Sequence, residues 1–333
     1  MLAPASLPAE DGGQVQKIEG RTMGTTFSVT WVANAATPEA DALKGEVQQR
    51  LDDLEAAMST YRATSDVSRF NRHAGDEWFA VASDTAAVVE RAQQISKLTD
   101  GAFDITVYPL VCLWGFGPEP ATGKPPTAAA IAQALRRVDY RKLEVRLSPP
   151  ALRKNAPDLA IDLSGIAKGY ASTEVARLVE ARGIIDCLVA VGGEICVRGG
   201  RLPERTWRVG VERPSPNGVT IDRTLDLTDA AVSTSGDYRN FFDAAGARFS
   251  HLLDPRTGRP VPSALASVTV VDRDNSRADA FATALMVMGE DAGLAWARQQ
   301  GVAGIFFSRS EGGIRSLPSQ AFADRFDQVS AQP

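Results

Sequence analysis

The order of strand-like and helix-like segments constrains this fold more than any other feature of the chain. Helical periodicity covers residues 40–58, 84–99 and 128–138, a segment that ends at Gly183, and residues 276–289. Apolar runs predict strands at "FSVTWVA", "LAIDL", "CLVAVGG", "WRVGVERP", "TLDLTDAAVSTSG", "YRNFFDAAGARFSHLLD", "ASVTVVD" and, as the last strand, "GIFFS". Because these segments do not alternate as regular βαβ units, the sequence predicts an α+β fold with largely antiparallel sheets packed against helices.

Composition and charge exclude several classes of function. A chain of 333 residues with 44% hydrophobic residues is long and apolar enough to bury a sizeable core. Its formal net charge of −5, without any run of Lys or Arg, argues against nucleic acid or an anionic membrane as a partner. No apolar run approaches the roughly 18 residues that a membrane span needs. We therefore expect neither a nucleic-acid partner nor a membrane span.

Cysteine and histidine are too scarce for a disulfide framework or a zinc site. Cys112, Cys187 and Cys196 are scattered in apolar surroundings, which predicts buried thiols. With only two histidines, the chain has no Cys/His spacing typical of zinc.

The chain is predicted to form one domain between two short tails. Residues 1–16 are predicted to be a flexible lead, residues 17–325 a single domain and residues 326–333 a C-terminal tail. The first residues, "MLAPASLPAEDGGQ", contain neither the basic nor the apolar region of a signal peptide. Two interpretations are open at this point: the protein is cytosolic, or an export signal has been removed.

The apolar helix "SRADAFATALMVMG" carries an acid and a hydroxyl on one face. Ser276 and Asp279 resemble a capping box, and a carboxylate near a helix N-terminus is favoured by the helix dipole. Asp279 and Thr283 are also four residues apart, so their side chains lie side by side. Two neighbouring hard oxygens suit Mg²⁺. The pattern is consistent with a helix cap, which is the commoner feature, and with a metal site.

The stretch "IDLSGIAKGY" predicts an anion site. Lys168 falls in the first turn of its helix, where a cation opposes the helix macrodipole and a bound anion would relieve the conflict. Gly165 allows a close approach to the backbone, and the N–H groups of a helix start bind phosphate. The alternative is that Lys168 simply extends into solvent. Asp162 could cap the helix or accept a hydrogen bond from a ligand hydroxyl or ring N–H.

Standard nucleotide and hydrolase motifs are absent from the sequence. "GPEPATGK" has five residues between its glycines instead of the four of a Walker A loop, and Pro125 stands where that loop needs Ser or Thr. No G-x-G-x-x-G follows a strand. Ser164 and Lys168 have the spacing S-x-x-x-K instead of S-x-x-K, and no G-x-S-x-G occurs. A serine hydrolase is therefore not expected.

A histidine and an aromatic segment are further candidates for a site. His251 lies between a strand and the turn "DPRTGRP", where it is either a structural hydrogen bonder or a general base. The segment "DGAFDITVYPLVCLWGFG" places several aromatic residues near Asp104. These aromatics are either core residues or a wall for a planar heterocycle.

Taken together, these stretches resemble the ApbE family of FAD:protein FMN transferases, from about Met23 to Gly289. The motifs that carry the resemblance are "MGTTFSV", "STYRATSDVSRFN", "DGAFDITVYPLVCLWGFG", "IDLSGIAKGYA", "VGGEICVRG", "STSGDY", "HLLDPRTGRPV" and "ADAFATAL". Each alone is weak, but all of them occur in the family's order. The resemblance implies a single catalytic domain with two intimately joined lobes and a flavin cleft between them.

The activity implied by this resemblance is a magnesium-dependent transfer of FMN from FAD to a threonine or serine hydroxyl of a target protein, with release of AMP. The implied metal ligands are Asp279, Thr283 and the backbone carbonyl of Gly165. His251 is the implied proton acceptor, and Lys168 would offset charge on the phosphoryl group. The implied FAD site comprises Met23, Tyr61, Ala102, Phe103, Asp104, Asp162, Lys168 and Leu253.

Two departures from the family pattern bear on these expectations. Glu194 follows the Gly-Gly pair where family members often carry Asp, and no lipobox cysteine is present. The family usually acts outside the cytoplasmic membrane on quinone-reductase and Rnf-type subunits, so a periplasmic location is expected, with a cytoplasmic one still open. Mn²⁺ accepts oxygen ligands similar to those of Mg²⁺. An FAD pyrophosphatase that yields FMN and AMP, and a non-catalytic flavin carrier, are the alternative functions.

Overall fold

The computed structural model describes residues 14–33, 37–119, 123–200, 206–215, 218–238, 240–244, 246–262 and 264–327. Most of the predicted N-terminal lead, most of the C-terminal tail and the middle of the stretch "GPEPATGK" lie outside the described residues. Within the described residues, no helix is both long and apolar enough to cross a membrane.

Strands form wherever apolar residues alternate, and most pair with a neighbour in sequence. They are β1 Val15–Thr22, β2 Thr25–Val32, β3 Phe79–Ala80, β4 Leu143–Leu147, β5 Pro150–Lys154, β6 Cys187–Val191, β7 Glu194–Arg198, β8 Trp207–Ser215, β9 Gly218–Leu227, β10 Ala230–Gly236, β11 Phe241–Ala244, β12 Ala247–Ser250, β13 Leu253–Asp254, β14 Arg259–Pro260, β15 Leu265–Asp272, β16 Ala303–Ser310 and β17 Gly313–Pro318.

Helices follow the predicted apolar periodicity at five places in the described residues, and four more, over 66–72, 108–113, 290–300 and 320–326, are not predicted by it. They are α1 Ala40–Met58, α2 Asp66–Arg72, α3 Ser83–Leu98, α4 Tyr108–Leu113, α5 Ala128–Leu135, α6 Ala167–Ala181, α7 Asn275–Met288, α8 Glu290–Gln300 and α9 Gln320–Phe326, with short 3₁₀ helices at Ile105–Val107 and Tyr140–Lys142. The helix predicted over residues 40–58 is confirmed at both ends. Those predicted over 84–99 and 276–289 begin and end one residue earlier.

An eight-stranded sheet in the order β1-β2-β6-β7-β10-β15-β16-β17 organises the described chain. Every neighbouring pair in it is antiparallel. Helices α1, α6 and α7 pack against the sheet. The predicted α+β class with largely antiparallel sheets is thereby confirmed, whereas the division into two lobes stays a prediction.

The sheet has a hydrophobic core on each face. Phe306 belongs to the larger core, while its neighbour Phe307 belongs to the smaller one, because successive side chains of a strand point to opposite faces. The smaller core is completed by the β8–β9 hairpin and by Phe322 of α9. The larger core includes the buried faces of α1, α6 and α7, so the helices that carry the candidate site rest on this core.

Three strand predictions are corrected by the structure. The predicted lead is too long, because β1 already begins at Val15 and pairs with β2. "GIFFS" lies within β16 and is not the last strand, because β17 and α9 follow it. The buried run "LAIDL" joins no ladder, because the Asn71 side chain bonds both backbone groups of Ile161 (2.8 and 2.7 Å) and the N–H of Asp162 donates to Ile105 (2.7 Å).

Close contact between α6 and α7 fixes the relative position of the two helices. The N–H of Gly169 in the first turn of α6 donates to Oδ2 of Asp279 at 3.0 Å. A Cβ atom at Gly169 would lie only 2.2 Å from the carbonyl oxygen of Asn275, so only glycine fits here. Side-chain volume at this position therefore sets the distance between the helices.

Asn275 ties the start of α7 to three neighbouring elements. Its fully buried carboxamide donates to Ser172 Oγ of α6 (2.5 Å) and to the carbonyl of Ile195 in β7 (3.1 Å). It also accepts a hydrogen bond from Ser233 of β10 (2.7 Å). Because buried polar groups are costly when unpaired, this network specifies one position for α7.

The contact between α6 and α7 can be tested with a pair of glycine substitutions. Gly169→Ala should destabilise the protein by about 3 kcal/mol, because the helices must separate to admit the new methyl group. Gly45→Ala in α1, where a Cβ meets nothing within 4 Å, should stabilise it by about 0.5–1 kcal/mol. Chemical denaturation of both variants measures the difference, and equal effects would show that the helices are not in close contact.

Candidate functional site

A cleft of about 370 Å³ collects the residues singled out by the sequence. The elements around it are the turn after β1, the 102–116 segment, the starts of α6 and α7, the end of β10 and the loop after β12. Every predicted site residue lines it: Met23, Tyr61, Ala102, Phe103, Asp104, Asp162, Gly165, Lys168, His251, Leu253, Asp279 and Thr283. The fold thus joins residues that are distant in sequence, although their individual roles stay predictions.

Asp279 does not cap its own helix. The side chain of Asp274 accepts hydrogen bonds from the N–H groups of Ser276 and Arg277 (2.9 and 3.3 Å), so α7 begins two residues earlier than a Ser276 cap would require. The capping-box interpretation is therefore wrong. The carboxylate of Asp279 instead accepts a hydrogen bond from the N–H of Gly169 in the first turn of α6. The N-cap residue of α6, Ile166, makes no side-chain capping hydrogen bond, so Asp279 supplies an acceptor for this helix start.

A group of hard oxygen atoms surrounds Asp279 and Thr283. Thr283 Oγ1 lies 3.0 Å from Ser235 Oγ, a residue that sequence reasoning missed. The backbone at Gly165 is close to Thr283, since a Cβ there would be 3.3 Å from the threonine hydroxyl. Carboxylate, hydroxyl and carbonyl oxygens suit Mg²⁺. No three His, Cys, Asp or Glu side chains cluster as a metal site in the described ranges, so ligands would also have to come from backbone, hydroxyls and substrate.

Glu194 is the most consequential residue that sequence reasoning did not assign to the site. It follows the Gly-Gly turn at the start of β7, is only 1% exposed, and forms an ion pair with Lys168. Its other oxygen accepts from the N–H of Thr234 at 3.3 Å. The sequence contains a signal for this role, because an acidic residue directly after the "VGG" turn and beside a buried strand is a candidate for a buried carboxylate. Lys168 is thus held within the cleft and does not simply extend into solvent.

The charges of Asp279, Glu194 and Lys168 are strongly coupled. Burial, followed by the nearby negative charge of Glu194, raises the pKa of Asp279 to about 7, while Lys168 and the Gly169 N–H oppose the shift. Two buried carboxylates sharing one ammonium group leave negative charge uncompensated. A divalent cation fits this arrangement, because it would supply the missing positive charge.

The two aspartates predicted to contact FAD are engaged with the backbone. Asp104 accepts from Thr106 N–H (2.8 Å), Thr106 Oγ1 (2.7 Å) and Tyr140 N–H (3.0 Å). It therefore fixes the cleft wall. Asp162 accepts from Ser164 N–H at 2.8 Å, and burial raises the pKa of its carboxyl above the usual range. The Asp162 carboxyl therefore orders the turn that leads into α6 at the edge of the cleft.

His251 is held in one tautomer. Its Nδ1 lies 3.0 Å from the carbonyl oxygen of Asn240, and since a carbonyl only accepts, Nδ1 carries the proton. Burial, with a smaller contribution from Lys168, lowers the pKa of the imidazole below its ordinary value. Nε2 of the neutral ring therefore carries a lone pair and can accept a proton.

Aromatic residues form one wall and the rim of the cleft. Phe103 lines the cleft and is buried, whereas Trp114 is buried outside it, with Nε1 donating to the carbonyl of Gly258 at 2.9 Å. Tyr61 is 67% exposed, although its hydroxyl donates to the carbonyl of Phe116 at 3.2 Å. The core interpretation therefore holds for Phe103 and Trp114, whereas Tyr61 presents its ring to a molecule entering the cleft.

Comparison with known proteins assigns this arrangement to a family. A model of the family described as "ApbE family" matches residues 23–306. This chain belongs to the ApbE family. The resemblance inferred from the motifs is thereby confirmed over almost the same range of residues.

Curated relatives of this ApbE-family chain match nearly its whole length. A Vibrio cholerae protein named FAD:protein FMN transferase is 38% identical over 324 residues, which are 97% of this chain and 95% of the relative. An Escherichia coli K12 protein of the same name is 36% identical over 311 residues, 93% of this chain and 88% of the relative.

Solved structures of the family share the fold. The flavin transferase ApbE from Vibrio cholerae has a TM-score of 0.87 at 36% identity and covers 95% of this chain and 100% of its own. The apo flavinyl transferase ApbE from Pseudomonas stutzeri also has a TM-score of 0.87, at 37% identity, covering 95% of this chain and 98% of its own.

The repulsion at Asp279 predicts a pH-dependent stability. Because the folded-state pKa of Asp279 is raised above its unfolded value, the protein loses stability as pH rises from about 4 through 7 when no cation is added. Asp279→Asn removes the charge and keeps an oxygen for Gly169. We expect this variant to melt roughly 2–5 °C above the unsubstituted protein at pH 8 in chelator, and much closer to it at pH 5.

Thermal melts at both pH values, with Asp291→Asn on the exposed face of α8 as the control, measure this effect. The control should show no such pH-dependent difference. An Asp279→Asn variant that melts lower than the unsubstituted protein at pH 8 would contradict the charge repulsion.

Proposed function

We propose that this protein is a magnesium-dependent FAD:protein FMN transferase, which moves the FMN moiety of FAD onto a threonine or serine hydroxyl of an acceptor protein. The observation that carries the proposal is the convergence, in one cleft, of a neutral histidine, a lysine and a carboxylate–hydroxyl pair. The names of the relatives support the same assignment.

The proposed reaction is a phosphoryl-type transfer. The acceptor oxygen forms a bond to the phosphorus of the FMN half of FAD, the bond from that phosphorus to the bridging oxygen of the diphosphate breaks, and AMP leaves. Such reactions depend on positioning and charge neutralisation more than on covalent chemistry by the enzyme. A cleft with fixed charges and a fixed imidazole meets this need.

His251 is the proposed general base. Its Nε2 accepts the proton of the attacking hydroxyl, while Asn240 keeps the ring in the required tautomer. Lys168 offsets negative charge on the phosphoryl oxygens, and Glu194 fixes the direction of its ammonium group. His251 therefore acts on the attacking hydroxyl, and Lys168 acts on the phosphoryl group.

Asp279, Thr283 and the carbonyl of Gly165 are the proposed ligands of Mg²⁺ or Mn²⁺. When bound, the cation neutralises the diphosphate and stabilises charge on the leaving phosphate. The flavin ring is proposed to lie against the aromatic wall, with Met23, Tyr61, Ala102, Phe103 and Leu253 around it and Asp104 and Asp162 shaping the polar side.

Two other functions share parts of this site. An FAD pyrophosphatase would use water instead of an acceptor hydroxyl, and would release AMP without any acceptor. A flavin carrier would hold intact FAD and never release AMP. The orientation of His251 favours an enzyme over a flavin carrier, because binding intact FAD does not require a proton acceptor such as Nε2 in the cleft.

The acceptors that we propose are flavoprotein subunits of quinone-reductase or Rnf type that carry a target threonine. The proposed location is the periplasm. Both parts of the proposal derive from the family resemblance and are tested separately from the chemistry, by labelling candidate subunits and by fractionating cells.

The proposed activity is tested by incubating the protein with FAD and Mg²⁺, with and without an acceptor domain. The expected result is an acceptor that gains the mass of FMN while AMP forms in step, with both products lost in chelator. AMP without labelling would instead identify a pyrophosphatase. Absence of AMP with either Mg²⁺ or Mn²⁺ would identify a carrier.

Loss of the general base should slow transfer without weakening FAD binding. We expect His251→Ala to lower kcat for acceptor labelling by about 10²–10⁴-fold, because no group then accepts the hydroxyl proton. The other histidine of the chain provides the control, since His73 pairs with Glu77 and does not line the cleft. Equal rates for His251→Ala and His73→Ala would contradict the assignment.

A further inference from the structure

A second, more open cleft lies beside the proposed active site. Its volume is about 810 Å³, and it runs between the tip and second strand of the β11–β12 hairpin and the segment 259–262. None of the proposed FAD or metal ligands lines it. The proposed reaction therefore leaves this cleft without a function.

Three guanidinium groups converge on this cleft. Arg309 is fixed by a two-point ion pair with buried Asp237 (2.7 and 2.8 Å). Arg248 lies over the ring of Phe241, 3.9 Å from its centroid. Arg259 is exposed, and among the described residues no carboxylate lies within ion-pair distance of it. Asp237 pairs with Arg309, and Asp243 lies 3.4 Å from Arg248, so Arg259 is the guanidinium group left to give the cleft a net positive charge in a chain whose net charge is −5.

The cleft leads directly to the proposed general base. Strand β12 ends at Ser250, and His251 follows directly. Arg248 is three residues before His251, which corresponds to about 10 Å along an extended strand. Three residues of an extended chain cover that distance. The side chains of Arg248 and His251 leave opposite faces of the strand, so an extended segment alongside β12 can place a hydroxyl at His251 and a side chain three residues away at Arg248.

Strand β12 pairs only with β11 in the described residues, and Ala247, Arg248 and Phe249 of this strand line the cleft. The N–H of His251 donates to the carbonyl of Asn240, and hydrogen-bonded and non-hydrogen-bonded pairs alternate along an antiparallel ladder. The pairs Phe242–Phe249 and Ala244–Ala247 are therefore hydrogen-bonded, whereas the pair Asp243–Arg248 between them is not. The N–H and C=O of Arg248 consequently point away from β11. An extended peptide can pair with such an edge.

A cluster of aromatic rings in contact with one another lies between the two clefts. Trp114 stacks on Phe249 with 5.5 Å between centroids, Phe249 stacks on Phe242 at 5.3 Å, and Phe242 contacts Phe116 at 5.7 Å. The Phe116 ring in turn lies edge-on to His251 at 6.3 Å. Phe242 and Phe249 pack against the buried cluster that contains Trp114, so these rings fix the β11–β12 hairpin between the two clefts.

We propose that this second cleft docks the acceptor protein, through an extended segment that carries carboxylate side chains two to four residues from the modified hydroxyl. The inference rests on the proposed transferase activity and adds to it the place and the charge of the acceptor. Charge complementarity selects the acidic occupant, since the three guanidinium groups outnumber the two carboxylates paired with them and Arg259 is exposed without a carboxylate partner among the described residues.

The test compares charge reversal in the cleft with charge reversal elsewhere. Arg248→Glu/Arg259→Glu should raise KM for an acceptor domain about tenfold or more, with kcat changed little, because docking precedes chemistry. KM of the unsubstituted enzyme should rise with NaCl, and the double variant should lose most of this dependence. Arg208→Glu on β8, also an exposed arginine near a carboxylate but outside both clefts, is the control.

A second arm identifies the acidic residues of the acceptor. Changing carboxylates near its modified threonine to lysine should impair labelling by the unsubstituted enzyme and restore labelling by the double variant. Equal KM values for the double variant and the Arg208→Glu control, or no restoration, would overturn the docking site.

FAD binding and acceptor-independent AMP formation should be the same in all variants. If the unsubstituted enzyme never labels an acceptor, the proposed transferase fails and the docking site fails with it. If labelling occurs but is insensitive to these charges, only the docking site fails.

Discussion

The hydrogen bond from Gly169 to Asp279 is the contact on which the candidate site depends. It joins the first turn of α6 to the first turns of α7, and a glycine is required for the helices to approach so closely. α6 contributes Lys168 and follows Gly165, whereas α7 contributes Asp279 and Thr283. One contact therefore sets the spacing between the proposed phosphate side and the proposed metal side of the cleft.

Asp279 has two roles in this arrangement, and they oppose each other energetically. As a partner of Gly169 it satisfies a helix N-terminus, but as a buried anion beside Glu194 it costs stability. Functional sites commonly retain such unfavourable charge because a ligand later compensates it. The buried network around Asn275 offsets the cost, because it holds α7 in place by hydrogen bonds that do not change with pH near neutrality.

The sequence predicts those parts of the structure that depend on local patterns. Apolar periodicity located α1 at both ends, and motif order located the family and every proposed ligand in the cleft. What depends on distant contacts was not predictable. "LAIDL" looks like a strand, but Asn71 satisfies its backbone; Glu194 looks like a strand-end acid, but only the fold shows that it meets Lys168. The cap of α7 was misassigned because Asp274 and Ser276 are both good caps, and only backbone geometry distinguishes them.

The β11–β12 hairpin forms a two-stranded sheet of its own and contributes no strand to the eight-stranded sheet. It nevertheless supports His251 and one side of the second cleft. Changes in the length or composition of its tip would leave both hydrophobic cores intact. With the acceptor docked at this cleft as proposed, substitutions in the hairpin tip would alter which protein is modified without altering the groups that carry out the chemistry.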